Sequence, residues 1–188
     1  MYSLMDDLER IATVLRNAAI PFEVVGGVAV NAHVLEAGPS RAFVTRYVDI
    51  LVERENLGEI VAAAARAGYE GKRMMGGFAL IRAGQALEEA VHLMFVTEKP
   101  RSSHPFPNPK LHPEEKKFPQ LEMTVPVARL RDLVQMKLNS FRPKDETHLE
   151  ILDGCGLITN EIESNLPELL RQRLAQARSR YSDETLEE

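Results

Sequence analysis

Asp49 stands in the stretch FVTRYVDILV, residues 43–52, among neighbours that belong in a core: Val48, Ile50, Leu51 and Val52. A lone carboxylate in an apolar strand requires a partner, a metal ion or a place at the strand's wet end. Side chains alternate along a strand, so residue 47 shares the face of residue 49. Carboxylates at both positions would make a pincer for divalent cations, and two such metals clamp the oxygens of a phosphoryl transfer. Tyr47 takes the first of those positions. Asp49 alone holds Mg²⁺ when substrate phosphates supply further oxygen ligands. Thr45 and Arg46, just before it, offer a hydroxyl and a guanidinium to the same phosphates. The competing reading makes Asp49 structural, capping nearby backbone or pairing with an arginine.

Three further features have chemical content. VVGGVAV, residues 24–30, reads as a strand running into Gly26–Gly27 and then a helix. Backbone N–H groups at such a helix start suit a phosphate, and glycine lets the backbone approach it. A tight strand-to-helix turn explains the same pair, which is neither a GxGxxG fingerprint nor a Walker A loop. His92, in AVHLMFV, alternates away from Val91, Leu93 and Phe95. It reaches the Asp49 cleft if the two strands are neighbours, with Glu88 nearer its face than Glu89; otherwise it is a hydrogen-bonded core histidine. Lys137 falls on one helical face with Leu130, Leu133 and Val134. Either its stem packs and its amine reaches solvent, or it points into a charged cleft.

The elements that must position these residues follow from periodicity. Leu4, Leu8, Ile11 and Leu15 mark an amphipathic helix over 3–18. A strand at 22–25, a helix over 28–38, a strand at 46–53 and a helix over 55–69 come next. Strands at 77–83 and 88–96 follow, joined around Gly84–Gln85. Residues 97–120 are proline-rich and aperiodic and read as one long loop. A short strand at 121–127 leads to three helices, the second with Pro143 near its start. The expected fold class is α/β (α+β): a mixed sheet of about five strands covered by helices on at least one face. The composition divides the chain into an α/β core over residues 1–125 and a helical section over 126–188 packed on it.

Bulk properties bound the function. The chain has 188 residues, 44% hydrophobic and 27% charged, as a folded soluble protein has. The net charge of -5 excludes a global basic footprint for nucleic acid and leaves room for a local basic groove. The single cysteine, Cys155, excludes an internal disulfide, and a cytoplasmic location is expected. No run approaches the roughly 20 apolar residues of a membrane span.

The order of these pieces resembles the nucleotidyltransferase superfamily with the DNA-polymerase-β-like fold. It is most similar to small bacterial members related to abortive-infection toxin–antitoxin systems. The likeness rests on the glycine pair, the R-x-V-D-I-L-V frame, and VPVARLRDLVQMKLNSFRPKDETHLEIL, covering roughly residues 4–160. It implies transfer of a nucleoside monophosphate from an NTP to a protein or RNA hydroxyl. It makes Asp49 the catalytic metal ligand, with Glu88 or His92 where a third acid is expected, and Mg²⁺ the cofactor. Gly26, Gly27, Thr45, Arg46 and Lys137 would hold the triphosphate. Tyr47, at the first acid of the pair, makes the metal site degenerate. Two alternatives stay open: a non-catalytic nucleotide- or partner-binding protein, and a structural module forming a homodimer through the 97–120 loop and the last helix.

Overall fold

The computed structural model describes residues 4–38, 45, 47–74 and 76–184. In chain order the elements are α1 (Leu4–Asn17), β1 (Phe22–Val25), α2 (Gly26–Ala37), β2 (Val48–Val52), α3 (Leu57–Arg66), β3 (Tyr69–Met74), β4 (Gly77–Arg82), β5 (Val91–Phe95), β6 (Pro113–Lys117), β7 (Thr124–Ala128), α4 (Leu130–Ser140), α5 (Pro143–Gly154), α6 (Asn160–Ser164) and α7 (Glu168–Glu184). The strands form one mixed sheet in the order β3-β4-β5-β2-β1-β7-β6. The centre is mixed because β2 runs antiparallel to β1 and parallel to β5, while β1 runs parallel to β7.

Strand alternation decides which face carries the core. Val48, Ile50 and Val52 of β2, with Val91, Leu93 and Phe95 of β5, join Phe22 and Val24 of β1 in the main hydrophobic cluster. Helix α1 adds Leu8, Ile11, Ala12 and Leu15 from one stripe, and α3 adds Ile60 and Ala64. The same cluster continues through Val28 and Val34 of α2 into Leu133 of α4, Leu149 of α5 and Leu170 of α7. The opposite parity of the strands, Val25, Asp49, Leu51, His92 and Met94, faces away from that cluster. There a small apolar group of Val25, Leu51, Val96 and Ala128, joined by Met94 and Met136, forms the floor beside an open cleft.

The sheet has seven strands rather than about five. The two unexpected strands, β3 and β6, are its edges. Only Tyr69 is buried in β3, and all of PEEKK in β6 is at least partly exposed, so neither shows apolar alternation. Charged edge strands of this kind carry no hydrophobic signal because only one side pairs. The 97–120 stretch is therefore not one loop; it delivers β6 at its end. The strand expected at 88–96 is shorter, since residues Leu87–Glu89 form a 3₁₀ turn and the strand starts at Val91. Glu88 thus lies before the strand, and its side chain is outside the described residues. Arg46 is outside them too. Among the described residues no helix is long and apolar enough to cross a membrane.

Candidate functional site: a cationic cleft at the ends of the central strands

The site begins where β1 becomes α2. Register places Val25, Asp49 and His92 side by side on β1, β2 and β5. Gly26 has φ +69°, and a Cβ there would lie 2.0 Å from the Asp49 Oδ2. A Cβ on Gly27 would lie 2.8 Å from the Thr45 Oγ1 and 3.6 Å from the His148 Cε1. Both glycines are thus required for contact, because the Asp49, Thr45 and His148 side chains fill the space a larger residue needs. Val25 caps α2 without a side-chain hydrogen bond, so the first N–H groups of that helix are left for another partner.

Asp49 has a protein partner. Its Oδ1 lies 3.4 Å from the His92 Nδ1. Burial works against protonation of His92, but the hydrogen bond and charge of Asp49, aided by the Leu87 carbonyl, raise its pKa above the usual imidazole value. The Tyr47 ring lies against His92, centroids 4.9 Å apart. Across the cleft Lys144 donates a hydrogen bond to the Tyr47 hydroxyl, and its ammonium is 4.7 Å from the Tyr47 ring centre. Among the described residues no group of three His, Cys, Asp or Glu side chains could hold a metal ion.

Helices α4 and α5 make the facing wall. Lys137, inside the apolar stripe of α4, is buried and ends 3.1 Å from the Asp145 Oδ1. Asp145 is fully buried and also takes bonds from the Arg142 Nε at 2.7 Å and from the Ser140 hydroxyl. Burial alone would push its pKa up; Lys137, Arg142 and Ser140 outweigh that and hold it well below the usual carboxylate range. One turn on, His148 is pushed down to about 4, first by burial and then by Lys137, with Lys144 and Arg142 adding to the effect against Asp145. His148 is therefore a neutral imidazole at pH 7.

The roof is the segment between β5 and β6. Asn108 donates to the Phe95 carbonyl at 2.9 Å, and Asn139 of α4 both accepts from the Phe106 N–H at 3.0 Å and donates to its carbonyl at 2.7 Å. These bonds hold Arg101 and His104 over the opening. Burial and the charges of Arg101 and Arg142 lower the His104 pKa.

The cleft has a volume of about 700 Å³, within the range of small-ligand pockets. It brings together Gly26, Gly27, Thr45, Asp49, His92 and Lys137. Sequence reasoning gave no role to Arg101, His104, Asp145 or His148, which share it. Among the described residues, Arg101, Lys137, Arg142 and Lys144 face two carboxylates, Asp49 and Asp145. An excess of fixed positive charge in a walled cleft favours a polyanion. The arrangement of a helix start, a hydroxyl and several cations suits phosphate groups.

No protein-family model matches the chain, and no curated protein matches it. Solved structures do. The antibiotic-resistance factor ANT(2″)-Ia, determined in solution, aligns with a TM-score of 0.61 and 15% identity over 98% of both chains. The crystal structure of ANT(2″)-Ia in complex with adenylyl-2″-tobramycin aligns at 0.59 and 16%, over 94% of this chain and 97% of that one. An antigenic nucleotidyltransferase-like protein from Paracoccidioides brasiliensis aligns at 0.59 and 18%, over 96% of this chain and 89% of that one. At these identities the likeness establishes the architecture: the chain has the nucleotidyltransferase fold.

Proposed function

We propose that the cleft binds a nucleoside triphosphate and grips its phosphates with the protein's own cations rather than through a metal clamp. The observation that carries this reading is the pairing at the two acid positions of the strand motif. Tyr47 stands at one and is bonded by Lys144; Asp49 stands at the other and is engaged by His92. A two-metal mechanism needs carboxylates converging there. The described residues do not fit that group: one carboxylate, already hydrogen-bonded to an imidazole, and a nearby ammonium leave a divalent ion a single anionic oxygen donor group. The phosphates would lie over Gly26–Gly27 and Thr45, with Lys144, Arg142 and Arg101 supplying charge. Lys137 is committed to Asp145 and acts by holding the α4–α5 wall.

Catalytic transfer of a nucleoside monophosphate to a protein or RNA hydroxyl is the second reading, favoured by Asp49 lying against Gly26 at the helix start. In that reading a single Mg²⁺ arrives with the NTP and Asp49 is its ligand. The likeness to abortive-infection proteins belongs with it. Calorimetric titration of NTP in Mg²⁺ and in EDTA separates the two. Binding that persists in EDTA and weakens in Lys144→Ala supports the first. Binding that needs Mg²⁺ and is lost in Asp49→Ala supports the second.

A further inference from the structure

Beside the cleft lies a smaller chamber of about 250 Å³. The two are separated by a close contact between the β3–β4 hairpin and the segment after β5. Gly76, at φ +83°, comes so near Pro100 that a Cβ would sit 2.1 Å from the Pro100 carbonyl oxygen. Gly76 and Pro100 line both cavities, so this contact is their common wall. It also parts two cations of one loop: Lys99 lines the chamber and Arg101 the cleft.

The chamber has its own chemistry. Arg54 lies over the Phe95 ring, 3.4 Å from its centre, and its Nε is bonded to Glu98 at 2.7 Å. The pair is half exposed, and so presents a flat, charge-compensated guanidinium at the cavity surface. Phe78 adds an aromatic wall, and Arg73, its partner across the hairpin, lines the same space. Among the described residues neither Arg73 nor Lys99 has a hydrogen-bond or ion-pair partner. A stacking platform beside two uncommitted cations suits a planar ring that carries a phosphate. The volume lies just below that of ordinary ligand pockets, which limits the occupant to one such unit.

We propose that this chamber binds a phosphorylated nucleoside as a second ligand, its base on Arg54 and Phe78 and its phosphate on Arg73 and Lys99. The proposal rests on the nucleotide reading of the cleft for its neighbour, not for its own residues. An amine-rich sugar such as tobramycin meets like charge here. The unit is either a free mononucleotide or the end of a single strand whose next phosphate reaches Arg101 across the wall.

The test is calorimetric titration of three probes into the full chain saturated with the β,γ-imido analogue of ATP. The probes are adenosine 5′-monophosphate, a single-stranded adenylate pentanucleotide and tobramycin. Arg73→Glu/Lys99→Glu is run in parallel; both side chains are exposed, so the fold is untouched. One equivalent of monophosphate or pentanucleotide binds, and the double variant weakens it about tenfold or more while the triphosphate analogue binds as before. A pentanucleotide at least about tenfold tighter than the monophosphate assigns the strand end; equal affinity assigns the free nucleotide. Failure of the triphosphate analogue itself overturns the cleft reading. In that case monophosphate binding that Arg73→Glu/Lys99→Glu abolishes still supports the chamber. Absence of monophosphate and pentanucleotide binding, binding unchanged in the double variant, or binding of tobramycin instead overturns the proposal.

Discussion

Lys144 of α5 donates a hydrogen bond to the Tyr47 hydroxyl beside β2, and its ammonium stands 4.7 Å from the centre of the same ring. A positive charge thus stands beside the motif position where a second carboxylate would help bind a cation. The charge the cleft offers a ligand is set by this contact as much as by Asp49.

Replacing Tyr47 tests that relationship from the metal's side. In Tyr47→Asp two carboxylates share one face of the strand. Mg²⁺-dependent strengthening of NTP binding is expected, read by calorimetry with and without EDTA. A variant that folds, as judged by an unchanged melting transition, yet gains no metal dependence shows that Tyr47 is not the lost half of a pincer.

Gly26→Ala is predicted to damage both fold and site. The backbone at φ +69°, and an Asp49 oxygen 2.0 Å from where a Cβ would sit, leave no place for a methyl group. Backbone strain of this kind costs about 1–3 kcal/mol, and displacing Asp49 adds to it. Urea denaturation measures the loss. A stability equal to that of the wild type would mean the β1–α2 junction is not built as described.

Asp145 is the anchor of the α4–α5 wall. Removing its charge in Asp145→Ala leaves Lys137 buried without its partner, a change that typically costs about 3–5 kcal/mol. Asp145→Ala/Lys137→Met should recover much of that loss, because an apolar side chain replaces the uncompensated amine. The depressed pKa of Asp145 gives the pH dependence. Its contribution is present above the ordinary carboxylate pKa of 3.8 and is lost as pH falls through the still lower folded value.

His148 acts in the opposite sense at milder pH. Its pKa is lowered from 6.5 to about 4. Below pH 6.5 the unfolded chain takes a proton that the folded chain refuses, so stability falls between those two values. An anion in the cleft offsets Lys137, Lys144 and Arg142 and raises the His148 pKa. Triphosphate binding at pH 5.5 should therefore take up protons, seen as a dependence of the calorimetric heat on buffer ionisation enthalpy. His148→Asn should remove that dependence; its persistence would place the titrating group elsewhere.

How much of this could be read from the residues depended on how local each signal was. The glycine pair, the apolar run around Asp49 and the alternation about His92 are local, and they put the central strands and one shared cleft within reach. The reason Gly26 is glycine, the Asp49 carboxylate from another strand, is not local. Lys144 and Tyr47 are 97 residues apart, and nothing in either segment marks the other. Nothing in its own segment marks Asp145, and only the fold reveals that α4 buries Lys137 against it. Strands β3 and β6 went unseen because exposed edges need no apolar alternation.

The most direct measurement of the central claim is one calorimetric titration of ATP repeated in Mg²⁺ and in EDTA, on the wild type, Lys144→Ala and Asp49→Ala. A protein-cation grip predicts wild-type affinities within about threefold in the two buffers, and a loss of about tenfold or more in Lys144→Ala, the usual scale for a charged hydrogen bond. Binding that vanishes in EDTA and in Asp49→Ala, with Lys144→Ala unaffected, would contradict it.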